Sequence, residues 1–204
     1  FLAVIVFFRK EILNFLIYRK IFMLIILASL PIILCGYLIS QSGIINDLRS
    51  LKIIGWTTVL FGILLFFSDK MENEKSLEIN LDIKAALIIG FLHIFSLIPG
   101  VSRSGIAITA ARFLKFDRVN AAKISFLLSI PTLLAVSVFG IYNIYTTGSF
   151  DLIKLNFSSI ILSFIFSYIT MVAFLGYIKK ASLDVFVLYR IVLGVLILIF
   201  AYQG

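Results

Sequence analysis

One cysteine stands in 204 residues, Cys35, and it lies inside an apolar run. A single thiol excludes an intrachain disulfide and any cysteine-based metal cluster, and says little about redox compartment. Histidine is as scarce, with His93 alone. Acidic residues number 10 against 18 Lys and Arg, leaving a net charge of +8. That excess would suit nucleic acid if it lined one face of a soluble helix. The basic residues instead sit between apolar runs, which makes them topology signals and leaves no role for nucleic acid. A signal-peptide pattern is also missing, since Phe1–Phe8 is apolar from the first residue with no basic region before it. Nor is there an initiator Met, and the abrupt start is what an N-terminal truncation inside a span would leave.

Apolar residues are what the chain has. They make up 62% of it, with a mean hydropathy of +1.15, far above a soluble domain. The runs approach the ~20 residues that cross a ~30 Å hydrocarbon core. The pattern therefore predicts an all-α polytopic membrane protein. Spans are expected at Ile21–Ile39, Ile53–Phe67, Ala121–Tyr145, Phe157–Ile178 and Val185–Tyr202, bounded by charges or turn residues. Phe1–Phe8 and the mixed stretch to Tyr18 read as the remnant of another. Pro31 and Pro131 fall inside two spans, where lipid-embedded helices tolerate a kink.

Residues 85–114 follow a different pattern. Ala85–Ile98 and Ile106–Leu114 are apolar arms reaching only ~21 Å and ~14 Å, too short to span, with Pro99 to Gly105 between them. They read as a re-entrant helical hairpin with its polar tip at membrane depth. Charge supports this. Of the 18 Lys and Arg, a hairpin leaves only Arg49, Lys52 and Lys154 on one side, Arg103 and Arg190 in apolar segments, and thirteen on the other side. Letting the stretch cross would give eight against eight. The positive-inside rule favours the hairpin, entering from the cytoplasm.

The tip, Leu97 to Gly105, is the only dense polar cluster within the apolar body. Arg103 offers a planar, permanently charged fork that matches two phosphate oxygens. Ser102 and Ser104 add hydroxyl donors, while Gly100 and Gly105 let backbone N–H groups approach closely. A second arm starting near Ser102 would point its positive end at the same spot. An arginine at membrane depth needs a partner, and an anionic ligand supplies one. The alternative is an arginine bonded to backbone carbonyls at a helix break.

The run Pro99-Gly100-Val101-Ser102-Arg103-Ser104-Gly105, with Ile124-Ser125-Phe126-Leu127-Leu128-Ser129-Ile130-Pro131 beyond it, resembles the second motif region of the undecaprenyl-diphosphate phosphatases, the bacitracin-resistance family. The likeness extends from Leu2–Val6 to Leu188-Tyr189-Arg190. It implies hydrolysis of undecaprenyl diphosphate to undecaprenyl phosphate and phosphate, which recycles the lipid carrier of peptidoglycan and other wall polymers. It also implies a multi-pass protein of the bacterial inner membrane, with the lipid substrate and the bilayer as partners, and leaves a homo-oligomer open. Inverted repeats are implied too, each a hairpin followed by three spans. Residues 1–84 are then the remainder of the first repeat and 85–204 the second. The family's first hairpin, with a glutamate-rich stretch and Pro-x-Ser-Ser-Thr-Gly-His, has no match here and would precede Phe1. Its residues are implicated in binding a divalent cation (Mg or Ca) and in proton transfer, so the chain alone is expected to turn over little. No metal ligand is assigned within it. Where the family often has Gly-Ala-Thr, this chain has Gly105-Ile106-Ala107, with Thr109 as the substitute phosphate contact.

Catalysis is thus assigned to Arg103 as clamp and charge stabiliser, helped by Ser102. Gly100, Ser104, Gly105 and Thr109 are the phosphate-binding set. His93, in the first arm with Ser96 three residues on, is either a hydrogen-bonded structural residue or lines the site. It lies too far from the serines to activate one directly. Arg190 either snorkels to the cytoplasmic interface or makes a buried ion pair or a contact with substrate. The acids Asp69, Glu72, Glu74, Glu78 and Asp82 read as a solvated loop. A transporter or flippase for a lipid phosphate is the main rival to the phosphatase, because inverted repeats with an anion-binding hairpin also suit translocation. A purely structural subunit comes third.

Overall fold

The computed structural model describes residues 1–42, 47–72, 74–147 and 153–203. In lipid each backbone N–H and C=O must be satisfied within its own segment, so unbroken apolar runs become helices. Five are long and apolar enough to cross a membrane: α3 (Phe15–Ser42), α4 (Leu51–Asp69), α8 (Arg118–Thr147), α9 (Ile153–Ile178) and α10 (Asp184–Gln203). They coincide with the five expected spans and extend them at the polar ends. Pro31 and Pro131 sit inside α3 and α8 without ending either helix. The segments 43–46 and 148–152, where two of the outer turns were expected, lie outside the described residues. The chain is an all-helical, polytopic membrane protein.

The opening run is shorter than a span. It forms α1 (Leu2–Phe7) and α2 (Arg9–Leu13), broken at Phe8. Phe8 is buried, and α1 packs against α8 and α9, with the Phe7 ring edge-on to Tyr168 at 6.1 Å.

Residues 83–113 form a helical hairpin. Its arms are α6 (Ile83–His93), extended by a 3-10 turn over Ile94–Leu97, and α7 (Arg103–Phe113). The eleven residues of α7 reach only about 16 Å and α6 with its 3-10 turn about 24 Å, both short of a ~30 Å hydrocarbon core. Each arm begins where a side chain caps it: Asp82 accepts from the Ala85 N–H at 2.7 Å and Ser102 from the Gly105 N–H at 3.2 Å. The Ser102 cap starts the second arm ahead of the apolar run at Ile106, because Arg103, Ser104 and Gly105 form a first helical turn that hydropathy alone does not register. Both arms open on the same side. The Lys75 N–H donates to the Lys115 carbonyl at 3.0 Å and the Asp117 N–H to that of Lys75 at 3.2 Å, closing the exit beside the entry. Between them α5 (Leu77–Asn80) is pinned by buried Leu77 and Leu81.

Close packing seats the hairpin among the long helices. α6 lies on α3 so tightly that a Cβ on Gly90 would come 2.4 Å from the Ala28 carbonyl oxygen, while α7 packs against α4 and α8. α4 and α10 approach through small residues, a Cβ on Gly55 falling 3.3 Å from the Gly194 oxygen and one on Gly194 falling 3.1 Å from the Gly55 oxygen. At the end of this pair away from the hairpin base, Trp56 Nε1 lies 3.4 Å from the Tyr202 hydroxyl and Lys52 sits 4.8 Å over the Tyr202 ring. Such aromatic and basic clusters mark a membrane–water interface.

Candidate functional site

The hairpin tip is held at half-depth by hydroxyls from the neighbouring helices. Thr57 Oγ1 lies 2.7 Å from the Pro99 carbonyl oxygen and Thr58 Oγ1 lies 3.3 Å from that of Gly100, near the middle of α4. On the other flank Arg103 Nη2 donates to Thr132 Oγ1, and Thr132 is fourteen residues, or about 21 Å, along α8 from Arg118. Gly100 has φ +91°, and a Cβ there would meet Thr57 Oγ1 at 2.2 Å, so only glycine fits. Val101 beside it is fully buried.

Ser102 also has a positive φ, 65°, a conformation that costs a non-glycine residue about 1–3 kcal/mol and clusters at functional sites. Its Oγ accepts from the Gly105 N–H, which leaves its own proton free for another acceptor. As the N-cap it sets the positive end of α7 at the tip, as the sequence led us to expect.

The structure divides the cluster that the sequence presents as one. Arg103 opens on a cavity of about 490 Å³ between α3 and α8, beside Ser40, Ser96 and Thr132 and walled by apolar residues including Tyr37 and Phe139. Ser102, Ser104, Gly100 and Gly105 open on a second cavity of about 470 Å³ between α4 and α10, which they share with Arg190. Among the described residues no carboxylate lies within ion-pair distance of Arg103 or Arg190.

The remaining residues do not line the Arg103 cavity. Thr109 is buried and its hydroxyl donates to the Gly105 carbonyl at 2.8 Å within its own helix, so the substitute contact does not face either cavity. His93 is 1% exposed and neither ring nitrogen has a partner, so the hydrogen bond expected of a structural histidine is not made. It lines neither cavity. Arg190 does not snorkel. It is 7% exposed and turned inward, its Nη2 3.0 Å from the Gly100 carbonyl oxygen and 3.4 Å from that of Thr58. Gly62 on α4 makes room for it, since a Cβ there would lie 3.3 Å from Arg190 Cβ. The sequence offers a buried contact for Arg190 as the alternative to snorkelling. Its signal was a basic residue in an apolar span, and its partner glycines were too distant in sequence to pair.

The family model described as bacitracin resistance protein BacA matches residues 1–196. The chain belongs to this family. It is 47% identical to the undecaprenyl-diphosphatase of Pelagibacter ubique (strain HTCC1062) over 203 residues, 99% of this chain and 79% of the relative. The undecaprenyl-diphosphatase of Jannaschia sp. (strain CCS1) is 36% identical over 90% of this chain and 68% of its own length. That of Elusimicrobium minutum (strain Pei191) is also 36% identical, over 98% of this chain and 79% of its own length.

At the hairpin base, this BacA-family chain departs from the solvated acidic loop expected of residues 68–84. Asp69 is buried and bound on three sides: by Arg118 through two bonds of 2.7 and 2.9 Å, by Arg112 Nε at 3.7 Å, and by the Leu183 N–H at 3.1 Å. Arg112 is fully buried and also donates to the carbonyls of Phe116 at 2.6 Å, Asp69 at 3.0 Å, and Met71. Asp69 ends α4, so it can face inward at a helix C-terminus while its neighbours run out into the loop. Glu72 and Glu74 remain exposed on Lys115, at 3.0 and 3.2 Å. Asp82, as noted, caps α6.

The divalent cation that the resemblance implies needs oxygen or imidazole ligands, and the tip supplies cationic or neutral donors instead. Among the described residues no group of three or more His, Cys, Asp or Glu is placed to hold a metal. These residues do not fit the ion.

Proposed function

We propose that the protein is an integral-membrane undecaprenyl-diphosphate phosphatase, releasing phosphate and leaving undecaprenyl phosphate for reuse as the wall-polymer carrier. The observation that carries this is Arg103: half-buried, level with the middle of α8, without a carboxylate, and open to an apolar-walled cavity. It stands in a chain 47% identical to a named undecaprenyl-diphosphatase. Such a site suits a ligand with an anionic head and a long apolar tail.

In this reading water attacks the terminal phosphorus, the bond to the bridging oxygen breaks, and undecaprenyl phosphate leaves. Arg103 grips the phosphoryl oxygens with its fork, held in place by Thr132, and stabilises the charge that develops on them. The N-terminus of α7 adds a positive field. Ser102 is less suited to attack, since no base adjoins it and its oxygen already accepts from Gly105.

Inverted repeats, with 1–84 completing one and 85–204 the other, suit the reciprocal contact of Gly55 and Gly194. Those helices run antiparallel, as a two-fold axis in the membrane plane requires. The basic hairpin base then faces the cytoplasm of a bacterial inner membrane. The test is orthophosphate release from undecaprenyl diphosphate by the purified natural gene product in detergent. Steady release supports the phosphatase. Movement of labelled carrier across sealed liposomes without release would give the site to translocation instead.

A further inference from the structure

We propose that Pro31 and Pro131 hinge a pair of jaws, the outer halves of α3 and α8, which part to admit a prenyl chain from the bilayer into the Arg103 cavity and close along it. The proposal rests on the phosphatase reading for the chemistry of that chain.

Burial stops at the two prolines. Ahead of them the helices are locked into the core, by Ile25, Ala28 and Ser29 on α3 and by Ile124, Leu127 and Leu128 on α8. Among the described residues, the last buried one on each helix directly follows its proline, Ile32 at 6% and Thr132 at 5% exposed. Beyond them Leu34, Tyr37 and Leu38 on α3 and Val136, Ile141 and Tyr142 on α8 stand exposed. The cavity of about 490 Å³ begins at the same level. Its lining on these helices runs from Ile32 to Ser40 and from Thr132 to Phe139, all past the prolines. Segments with few buried contacts are the ones that open at least cost.

The backbone is weakened at that level too. Proline has no N–H, so the carbonyls of Leu27 and Leu127 lose their usual helical donors. Two residues ahead of each proline a serine hydroxyl donates back to its own helix, Ser29 to the Ile25 carbonyl at 2.7 Å and Ser129 to that of Phe126 at 2.6 Å. Hydroxyls bonded in this way bend helices. Arg103 donates to Thr132, one residue past Pro131, so the tip grips α8 at its hinge. Parting the arms turns their apolar side chains toward lipid tails as apolar as leucine, so opening forfeits little hydrophobic energy. A prenyl chain between the arms touches both only when they close, which is the differential affinity that shifts the balance. The arm Ile32–Ser42 is about 16 Å long, so a swing of ~20° carries its end ~5 Å.

Distances between spin labels test this in the purified natural gene product in lipid nanodiscs, in a Cys35→Ala background. One pair of labels sits on the arms, at Leu38→Cys with Ile141→Cys. A control pair sits ahead of the prolines, at Lys20→Cys with Lys123→Cys. The arm pair should give a wider distribution than the control, and farnesyl phosphate should narrow it and shorten it by about 5 Å. Orthophosphate, which has no tail, should leave it unchanged. Pro31→Ala combined with Pro131→Ala should narrow the arm distribution without ligand. It should also lower turnover of undecaprenyl diphosphate roughly tenfold without lowering the melting temperature, which separates a lost hinge from a lost fold. If that variant melts early, the label pairs with both prolines in place decide alone. An arm pair as narrow as the control, an arm distance that farnesyl phosphate does not move, or an equal shift with orthophosphate would overturn the jaws. Arm distances as expected with no phosphate release from undecaprenyl diphosphate would sink the phosphatase reading and leave the hinge standing.

Discussion

Arg112 and Arg103 are chemically the same and sit nine residues apart on one helix, but their surroundings give them different work. Arg112 is enclosed by a carboxylate and backbone carbonyls of its own fold, the pattern of a structural ion. Arg103 has one hydroxyl and a cavity, the pattern of a residue that meets its counter-ion from outside. Gly100 supports that arrangement by docking the tip on α4. Gly100→Ala should therefore lower the melting temperature through strain of about 1–3 kcal/mol plus the clash with Thr57, and weaken phosphate binding. A variant as stable as the native protein, with binding intact, would show that the tip is not seated this way. At the exposed base, hydrogen bonds with Lys115 and Glu74 hold the Glu72 carboxyl below the usual carboxylate range, and those with Glu72 and Glu74 raise Lys115. A lowered Glu72 stabilises the fold above the ordinary carboxylate pKa and loses that contribution as pH falls through its own value. A raised Lys115 acts below its ordinary pKa and is lost as pH rises through the shifted one. The pair thus persists across neutral pH, and being exposed it should be screened by salt. An NMR titration in molar salt should move Glu72 toward the ordinary range; an unchanged curve would point to a buried contact.

At the scale of elements, Asp69 joins the end of α4 to the end of α7 and the starts of α8 and α10. α7 is then fastened at both its ends, by Asp69 through Arg112 at the base and by Arg103 at the tip, where it meets Thr132 midway along α8. Asp69→Ala should cost about 3–5 kcal/mol, because it strands Arg112 in a buried site, and the measurement is denaturation in detergent. A loss under 1 kcal/mol would mean that water enters the base. These elements differ in how legible they were. Long spans declared themselves as unbroken apolar runs, and the hairpin as two arms too short to cross. The Asp69 network did not, since an acid beside Lys70 in a polar stretch looks like any loop residue until the helices around it are assembled. Nor did the split of Arg103 from Ser102. Adjacent residues at a helix start leave in different directions, and sequence proximity hides this.

For the whole molecule, the hairpin fixes topology, since a returning segment puts the loops near 75, 117 and 180 on one side and those near 42 and 147 on the other. Cysteines placed at Ser42 or Thr147 should be labelled from outside intact cells, and those at Lys75, Asp117 or Lys180 should not. Outside labelling at Asp117 or Lys180 would require 85–114 to cross. The phosphatase proposal makes Arg103 a bidentate phosphate clamp and not merely a buried charge. Its most direct test is steady-state phosphate release from undecaprenyl diphosphate by the natural gene product and its Arg103→Lys variant, with melting temperature as the folding control. Lysine keeps the charge and loses the fork, so turnover should fall about 10²–10³-fold in a folded protein, as when one transition-state donor is removed. Turnover close to native in Arg103→Lys would contradict the account.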